Sequence, residues 1–113
     1  MNVYVDGSTT RICYVFPNET PVIIPLPSKV TSNAGEYIAI LYALEEANSR
    51  SISDLVIISD SELAVNQIKG KYKCKHPVLA DYLAQVRKLI PYFSNLTFRH
   101  TPREYNIAGH VLG

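Results

Sequence analysis

The segment TSNAGEYIAILYALEEANSRSISDLVIISD, residues 31–60, decides the fold of this chain. Residues 31–50 have the pattern of a helix that is apolar on nearly every side, so we expect other elements to cover it on more than one side. Residues 54–59, DLVIIS, form a continuous apolar run, which is typical of a buried strand with parallel neighbours. The segment therefore predicts a long buried helix that leads directly into a central strand.

The stretches on either side of this segment predict the remaining elements. Three short β-rich runs precede it, and the links between them are so short that they predict an antiparallel meander. The predicted strands are 2–5, 11–16, 21–27, 54–59 and 96–100, and the predicted later helices are 60–70, 76–90 and one that begins near 106. This order predicts a single α/β domain, residues 1–113, with a five-stranded mixed sheet flanked by helices. The first three strands are antiparallel, and the fourth and fifth are parallel to the first.

The composition limits the possible classes of function. The net charge is +1, so any affinity for nucleic acid requires a local basic patch. Cys13 and Cys74 lack metal-site spacing and are too few for a disulfide framework, which predicts a reducing, cytoplasmic location. No apolar run is long enough to span a membrane. We expect no signal peptide, because the first strand begins almost at Met1.

Three acidic residues occupy special places in the predicted elements. Asp6 ends the first strand, Glu36 lies in the first turn of the long helix, and Asp60 ends the buried strand. Each has an ordinary structural explanation. Asp6 can be a turn residue, Glu36 can complete a capping box with Asn33 as the N-cap, and Asp60 can cap the next helix.

The three acids gain a shared explanation when the predicted topology brings them together. The first and fourth strands would be parallel neighbours, so Asp6 and Asp60 would lie at one edge of the sheet, where ligands bind in folds of this kind. Carboxylates that converge repel one another unless a cation lies between them. Oxygen ligands suit Mg²⁺ or Mn²⁺, and two such ions about 4 Å apart would form a phosphodiester-cleaving site.

Four stretches together resemble the type 1 ribonuclease H family in its compact bacterial and archaeal form. They are YVDGST (4–9), TSNAGEYIAILYALEEA (31–47), VIISDSELAVNQIKGKYKCKHP (56–77) and FRHTPREYNIAGHVLG (98–113). The resemblance implies a ribonuclease H-like fold and a metal-dependent endonuclease that hydrolyses the RNA strand of RNA–DNA hybrids, leaving 3′-hydroxyl and 5′-phosphate ends. It also implies that Asp6 bridges two Mg²⁺ or Mn²⁺ ions, while Glu36 and Asp60 complete the ion on the leaving-group side.

The chain departs from the family at the expected fourth acid. The family has an Asp four residues after an Asn, whereas here Asn106 is followed at that distance by His110. A neutral imidazole can bind a divalent cation but favours softer ions than Mg²⁺, so we expect weaker activity and a preference for Mn²⁺. The alternative is that His110 is a helix-surface residue without a role. His100 matches a family residue that assists proton transfer or product release, and its alternative is an ordinary residue at a strand end.

A basic segment and several matched positions predict the substrate contacts. Lys69, Lys71, Lys73 and Lys75 recur at every second position and would face one way if the segment were extended, which suits the binding of phosphates. The alternative is a solvated, charge-rich loop. The resemblance adds candidate substrate-binding residues at Gly7, Ser8, Asn33, Ser61, Arg103 and Asn106. Arg103 would contact phosphate or, as the alternative, hold Glu104 or its own loop.

The sequence leaves three hypotheses about function. The first is a ribonuclease H that acts on RNA–DNA hybrids, as a monomer rather than a homodimer. The second is a nucleic-acid-binding domain of the same fold that has lost most of its catalysis, which the histidine at 110 supports. The third is another phosphodiester-cleaving relative, such as a junction nuclease or an exonuclease. The absence of an Asp-x-Glu pair on the first strand disfavours the exonuclease.

Overall fold

A five-stranded mixed sheet forms the centre of the protein, whose computed structural model describes all 113 residues. The strands are β1 (Asn2–Gly7), β2 (Arg11–Val15), β3 (Val22–Pro25), β4 (Asp54–Ser59) and β5 (Asn95–His100). Their order across the sheet is β3-β2-β1-β4-β5. The first three strands pair antiparallel, β4 pairs parallel with β1, and β5 pairs parallel with β4. The predicted mixed sheet is confirmed.

Four α-helices and two single-turn 3₁₀ helices connect and cover the strands. The α-helices are α1 (Ser32–Ser49), α2 (Glu62–Ile68), α3 (Pro77–Leu89) and α4 (Ile107–Leu112), and the 3₁₀ helices are Ile90–Tyr92 and Arg103–Tyr105. None of these helices combines the length and the apolar character that crossing a bilayer requires.

The main hydrophobic core lies between one face of the sheet and helices α1, α2 and α3. Alternate residues of β1, Val3 and Val5, point into this core, and α1 contributes Tyr37, Ile40 and Leu44, all of them inaccessible to solvent. Burial of large apolar side chains is the main stabilising contribution to such a core. Because α1 packs against both the sheet and α3, the prediction that it is covered on more than one side is confirmed.

Helix α4 packs on the opposite face of the sheet, over β1 and β2. Ala108 is buried there against Cys13 and Val15. The backbone N–H of Ala108 donates to the side chain of Asn106, which caps the helix. This small second cluster holds α4 on the face of the sheet near the carboxyl end of β1.

Two predicted boundaries need correction. Strand β1 continues through Gly7, so Asp6 lies within the strand, opposite Cys13 of β2, rather than ending it. Helix α1 is capped by Thr31 and not by Asn33, because the backbone of Thr31 is extended and its Oγ1 accepts a hydrogen bond from the N–H of Ala34 at 3.1 Å. Glu36 therefore lies beyond the first turn of α1 and takes no part in a capping box.

The basic segment after α2, residues 69–75, is not extended throughout, which was the condition for its four lysines to face one way. The backbone N–H groups of Lys71 and Tyr72 both donate to the carbonyl of Asn66, at 2.8 and 3.1 Å, and Gly70 has a positive φ of 79°. This turn ends α2 and places the first lysines on a bend. The four lysines therefore do not form a single straight stripe, although all four side chains are exposed.

Candidate functional site

Two glycines allow the end of β1 to approach the start of α1 closely. A Cβ on Gly7 would overlap the carbonyl of Gly35, and a Cβ on Gly35 would overlap the carbonyl of Ser8. Only residues without a side chain permit this backbone contact. Gly35 was missed by the sequence reasoning, although a glycine inside an otherwise strong helix costs about 1 kcal/mol relative to alanine and indicates a packing requirement.

This approach brings Glu36 to the strand. The backbone N–H of Gly7 donates to Oε1 of Glu36 at 2.7 Å. A second acid reaches the same place because β1 and β4 are parallel neighbours, with Val5 opposite Ser59 at their carboxyl ends. Asp6 and Asp60 each follow those paired residues, so the register of the two strands sets their side chains near each other.

The structure thus brings Asp6, Glu36 and Asp60 together at the carboxyl ends of the central strands β1 and β4. One carboxylate oxygen from each lies within 4.8 Å of the others. Asp6 is only 2% exposed, and its Oδ1 is buried without a hydrogen-bond partner. A buried carboxylate oxygen without a partner is costly, because it has given up hydration without replacing it.

The electrostatics of the three acids follow from their burial and proximity. Burial, and then the neighbouring charge of Asp6, raise the pKa of Glu36 to about 9. Burial, and then the charge of Asp60, also raise the pKa of Asp6 above its ordinary value. Near neutral pH the pair formed by Asp6 and Glu36 therefore retains a proton unless another positive charge replaces it.

These residues fit a divalent cation. The donors are carboxylate oxygens, which are the ligands that Mg²⁺ and Mn²⁺ prefer, and one oxygen of Asp6, Oδ1, is buried without a hydrogen-bond partner. A bound cation would both satisfy that oxygen and favour the ionised form of Glu36. The cluster therefore has the ligand composition and the spacing of a metal site, and its buried negative charge would be stabilised by a cation.

Three further residues, all in the chain that follows β5, lie beside the acid group. The amide nitrogen of Asn106 donates to the carbonyl of Val5 at 2.9 Å and to Oδ2 of Asp60 at 3.1 Å. Arg103 places Nη1 3.5 Å from Oδ2 of Asp60 and 3.9 Å from Oδ1 of Asp6. A Cβ on Gly109 would lie 3.3 Å from Oδ2 of Asp60, so this glycine faces the acids.

These contacts show where two of the predicted residues lie and reveal one residue that was missed. Asn106 is fully buried, donates to Asp60 and caps α4, and its contact with substrate stays a prediction. Arg103 contacts the acids and not Glu104, which removes that alternative for its role. Gly109 was missed because the family's spacing directs attention to the next residue.

The two histidines lie outside the acid group. His110 is exposed, and its Nε2 lies 2.8 Å from the carbonyl oxygen of Glu104, within hydrogen-bonding distance. This contact ties α4 to the 3₁₀ turn that carries Arg103. His100 is the last residue of β5, opposite Ser59, so it lies at the same sheet edge as the acids but is not one of the clustered ligands.

The remaining candidate residues surround the site at different distances. The hydroxyl of Ser8 stabilises the β1–β2 turn by donating to the carbonyl of Arg11, and that of Ser61 caps α2 by accepting from Ala64. Asn33 is exposed in the first turn of α1. The lysines at 69, 71, 73 and 75 follow the C-terminus of α2, a helix about 10 Å long that begins just after Asp60.

Comparisons with known proteins support a family assignment. A family model described as "Reverse transcriptase-like" matches residues 22–112. The chain is 31% identical over 84 residues to ribonuclease HI of Halobacterium salinarum, which covers 74% of this chain and 42% of that protein. It is 30% identical over 78 residues to a bifunctional protein of Mycobacterium tuberculosis, which covers 69% of this chain and 21% of that protein. The chain thus spans less than half the length of these relatives.

Solved structures share the fold over nearly the whole chain. A type 1 ribonuclease H of Halobacterium salinarum superposes with a TM-score of 0.86, covering 98% of this chain and 92% of that chain at 24% identity. A type 1 ribonuclease H solved in complex with an RNA/DNA hybrid superposes with a TM-score of 0.77, covering 99% of both chains at 24% identity. The resemblance seen in the sequence is confirmed: the chain belongs to the reverse transcriptase-like family and has the fold of the type 1 ribonucleases H.

Proposed function

We propose that this protein is a metal-dependent endonuclease that hydrolyses the RNA strand of RNA–DNA hybrids, leaving 3′-hydroxyl and 5′-phosphate ends. The observation that carries this proposal is the convergence of Asp6, Glu36 and Asp60 within 4.8 Å around a buried, unpaired carboxylate oxygen. Relatives add support, since one is named ribonuclease HI and a structural neighbour was solved with an RNA/DNA hybrid.

The three acids would hold the metal ions in this proposal. Asp6, the most buried of them, would bridge two ions, with Glu36 and Asp60 completing the shell of one. When bound, two divalent ions supply a positioned water and neutralise charge on the attacking and leaving oxygens of the phosphate. Asn106 would keep the carboxylate of Asp60 oriented through its 3.1 Å hydrogen bond.

The chain's exposed residues near this edge would bind the hybrid. Asn33 is three residues before Glu36 and is free to contact the minor groove, where 2′-hydroxyls distinguish RNA from DNA. The lysines that follow α2 would contact phosphates some distance from the cut. Buried Gln67 supports that segment, because its amide donates to the carbonyl of Lys73 at 3.4 Å while its oxygen accepts from Tyr37. His100, at the exposed end of β5, would assist proton transfer or product release.

A second function is favoured by the position of His110. Its ring lies against the carbonyl of Glu104 and not among the acids, so the site would have three acidic ligands and no fourth. A protein of this fold with weak metal occupancy would bind hybrids but cleave them slowly. Cytoplasmic location and a monomeric state stay predictions under both proposals.

A gel assay on a hybrid with its RNA and DNA strands labelled separately tests the proposal. We expect cleavage of the RNA strand, and Mg²⁺ and Mn²⁺ are tested in parallel because the three carboxylates suit either ion. Asp6→Asn should abolish cleavage, because it removes the bridging charge while keeping the side chain's shape. Asp81→Asn is the matched control, since Asp81 is exposed on α3, away from the acids.

The outcomes separate the hypotheses. Salt-sensitive binding of the hybrid without cleavage by either metal would support the binding domain and reject the nuclease. Cleavage of the DNA strand would instead favour another phosphodiester-cleaving relative. Cleavage that survives Asp6→Asn would show that the acid group is not the active site.

A further inference from the structure

Arg103 places a positive charge at the edge of the acid group. Its Nη1 lies 3.5 Å from Oδ2 of Asp60 and 3.9 Å from Oδ1 of Asp6, the buried oxygen that has no hydrogen-bond partner. These two acids are its only ion-pair partners. The guanidinium therefore lies beside the same two carboxylates that a divalent cation would bind.

The contact neutralises charge without locking the side chain. Only one guanidinium nitrogen takes part, and 3.9 Å is too long for a hydrogen bond, so the geometry is not the two-bond fork that makes strong arginine–carboxylate pairs. The Arg103 side chain is 62% exposed, which further weakens the attraction through solvent screening. The guanidinium can therefore leave the acids at small cost.

The backbone that carries Arg103 is held more firmly than its side chain. The N–H of Asn106 donates to the carbonyl of Arg103 at 3.0 Å, and buried Asn106 is anchored to β1 and to Asp60. His110 adds the contact to the carbonyl of Glu104 at 2.8 Å. The 3₁₀ turn thus keeps the base of the side chain near the acids while its charged end can move between the acids and solvent.

We propose that Arg103 is an internal cation that competes with a divalent metal ion for Asp6 and Asp60. This inference rests on the proposed metal-dependent function. Two positive groups cannot share the same two carboxylates without repulsion, so metal binding requires the guanidinium to leave.

The direct test is calorimetric titration of Mn²⁺ into the protein without nucleic acid. Arg103→Gln removes the charge and keeps most of the side chain, and we expect it to bind Mn²⁺ about tenfold more tightly, equivalent to ~1.4 kcal/mol. Arg103→Ala should show the same direction. Arg103→Lys keeps a positive charge and should stay close to the wild type, and so should the control Arg87→Gln, on the exposed surface of α3.

Each outcome decides the inference. Equal or weaker Mn²⁺ binding by both neutral variants would overturn the competition, even if the wild type binds metal and cleaves hybrids. If Arg87→Gln also binds Mn²⁺ more tightly, the tighter binding comes from the lower net charge of the protein and not from position 103. That result would also overturn the competition. If no variant binds Mn²⁺, the proposed metal-dependent function fails and this inference fails with it.

Discussion

Glu36→Gln should remove most of the pH dependence of stability in the metal-free protein. The pKa of Glu36 is raised to about 9 by burial and by the charge of Asp6, whereas an unfolded glutamate titrates near its ordinary value of 4.5. Between these two values the native protein holds a proton that the unfolded chain has released. Raising the pH through this window therefore favours the unfolded chain, and the native protein loses stability.

The size of the effect follows from the single proton involved. Within the window, the free energy of unfolding falls by about 1.4 kcal/mol for each pH unit. From pH 6 to pH 8 the wild type should lose roughly 2 to 3 kcal/mol, which is a decrease of roughly 10 °C or more in melting temperature for a domain of this size. Glutamine cannot ionise but can still accept the hydrogen bond from Gly7, so the variant should be more stable than the wild type at pH 8.

Urea unfolding in the presence of a chelator, at several pH values from 5 to about 9, measures this directly. The three histidines are exposed and present in every variant, so their contribution cancels in the comparison. Glu45→Gln is the matched control, since Glu45 is exposed on the same helix, and it should keep the wild-type slope. A wild type whose stability does not change between pH 6 and 8, or a Glu36→Gln variant with an unchanged slope, would refute the reasoning. In a separate series without chelator, added Mn²⁺ should stabilise the wild type at pH 8 more than it stabilises Glu36→Gln, which has lost one of the three carboxylates.

Three further predictions concern the approach of the two backbones, the basic segment and the last helix. Gly35→Ala should lower the free energy of unfolding by about 1–3 kcal/mol, because its methyl group would overlap the carbonyl of Ser8, and an unchanged urea midpoint would contradict the close packing. Combined Lys71→Gln and Lys73→Gln should weaken hybrid binding and reduce the salt slope of log affinity by about 0.7–0.9 for each lost phosphate contact, as measured by filter binding across salt concentrations. An unchanged slope would leave these lysines as a solvated loop. His110→Asp should increase Mg²⁺-dependent cleavage in the gel assay by adding a carboxylate to α4; no increase, in a protein that Asp6→Asn inactivates, would show that position 110 does not reach the metals.

Much of the fold was predictable because the chain's apolar periodicity changes at clear boundaries. The meander, the long helix and the continuous apolar strand at 54–59 each have a distinct pattern, and the short links leave few possible topologies. The boundaries of the elements were predicted wrongly where two or three neighbouring residues can each fill the same structural position. Thr31, Ser32 and Asn33 can all cap a helix, and only the backbone conformation of Thr31 selects it.

The sequence by itself determined the order of the elements and singled out the three acids, because hydrophobic pattern and turn chemistry are local properties. Only the tertiary structure decided what those acids face. The close contact of Gly7 with Gly35 brings Glu36 to β1, and the register of β1 with β4 sets Asp6 beside Asp60. It also placed Arg103 beside the acids and His110 against the carbonyl of Glu104, whereas the spacing in the sequence had pointed to His110 as the residue near the metal. The physical reason is that charge and burial at this site depend on groups about 30 to 100 residues apart in the chain, whose distances are set by packing and strand pairing and not by local sequence.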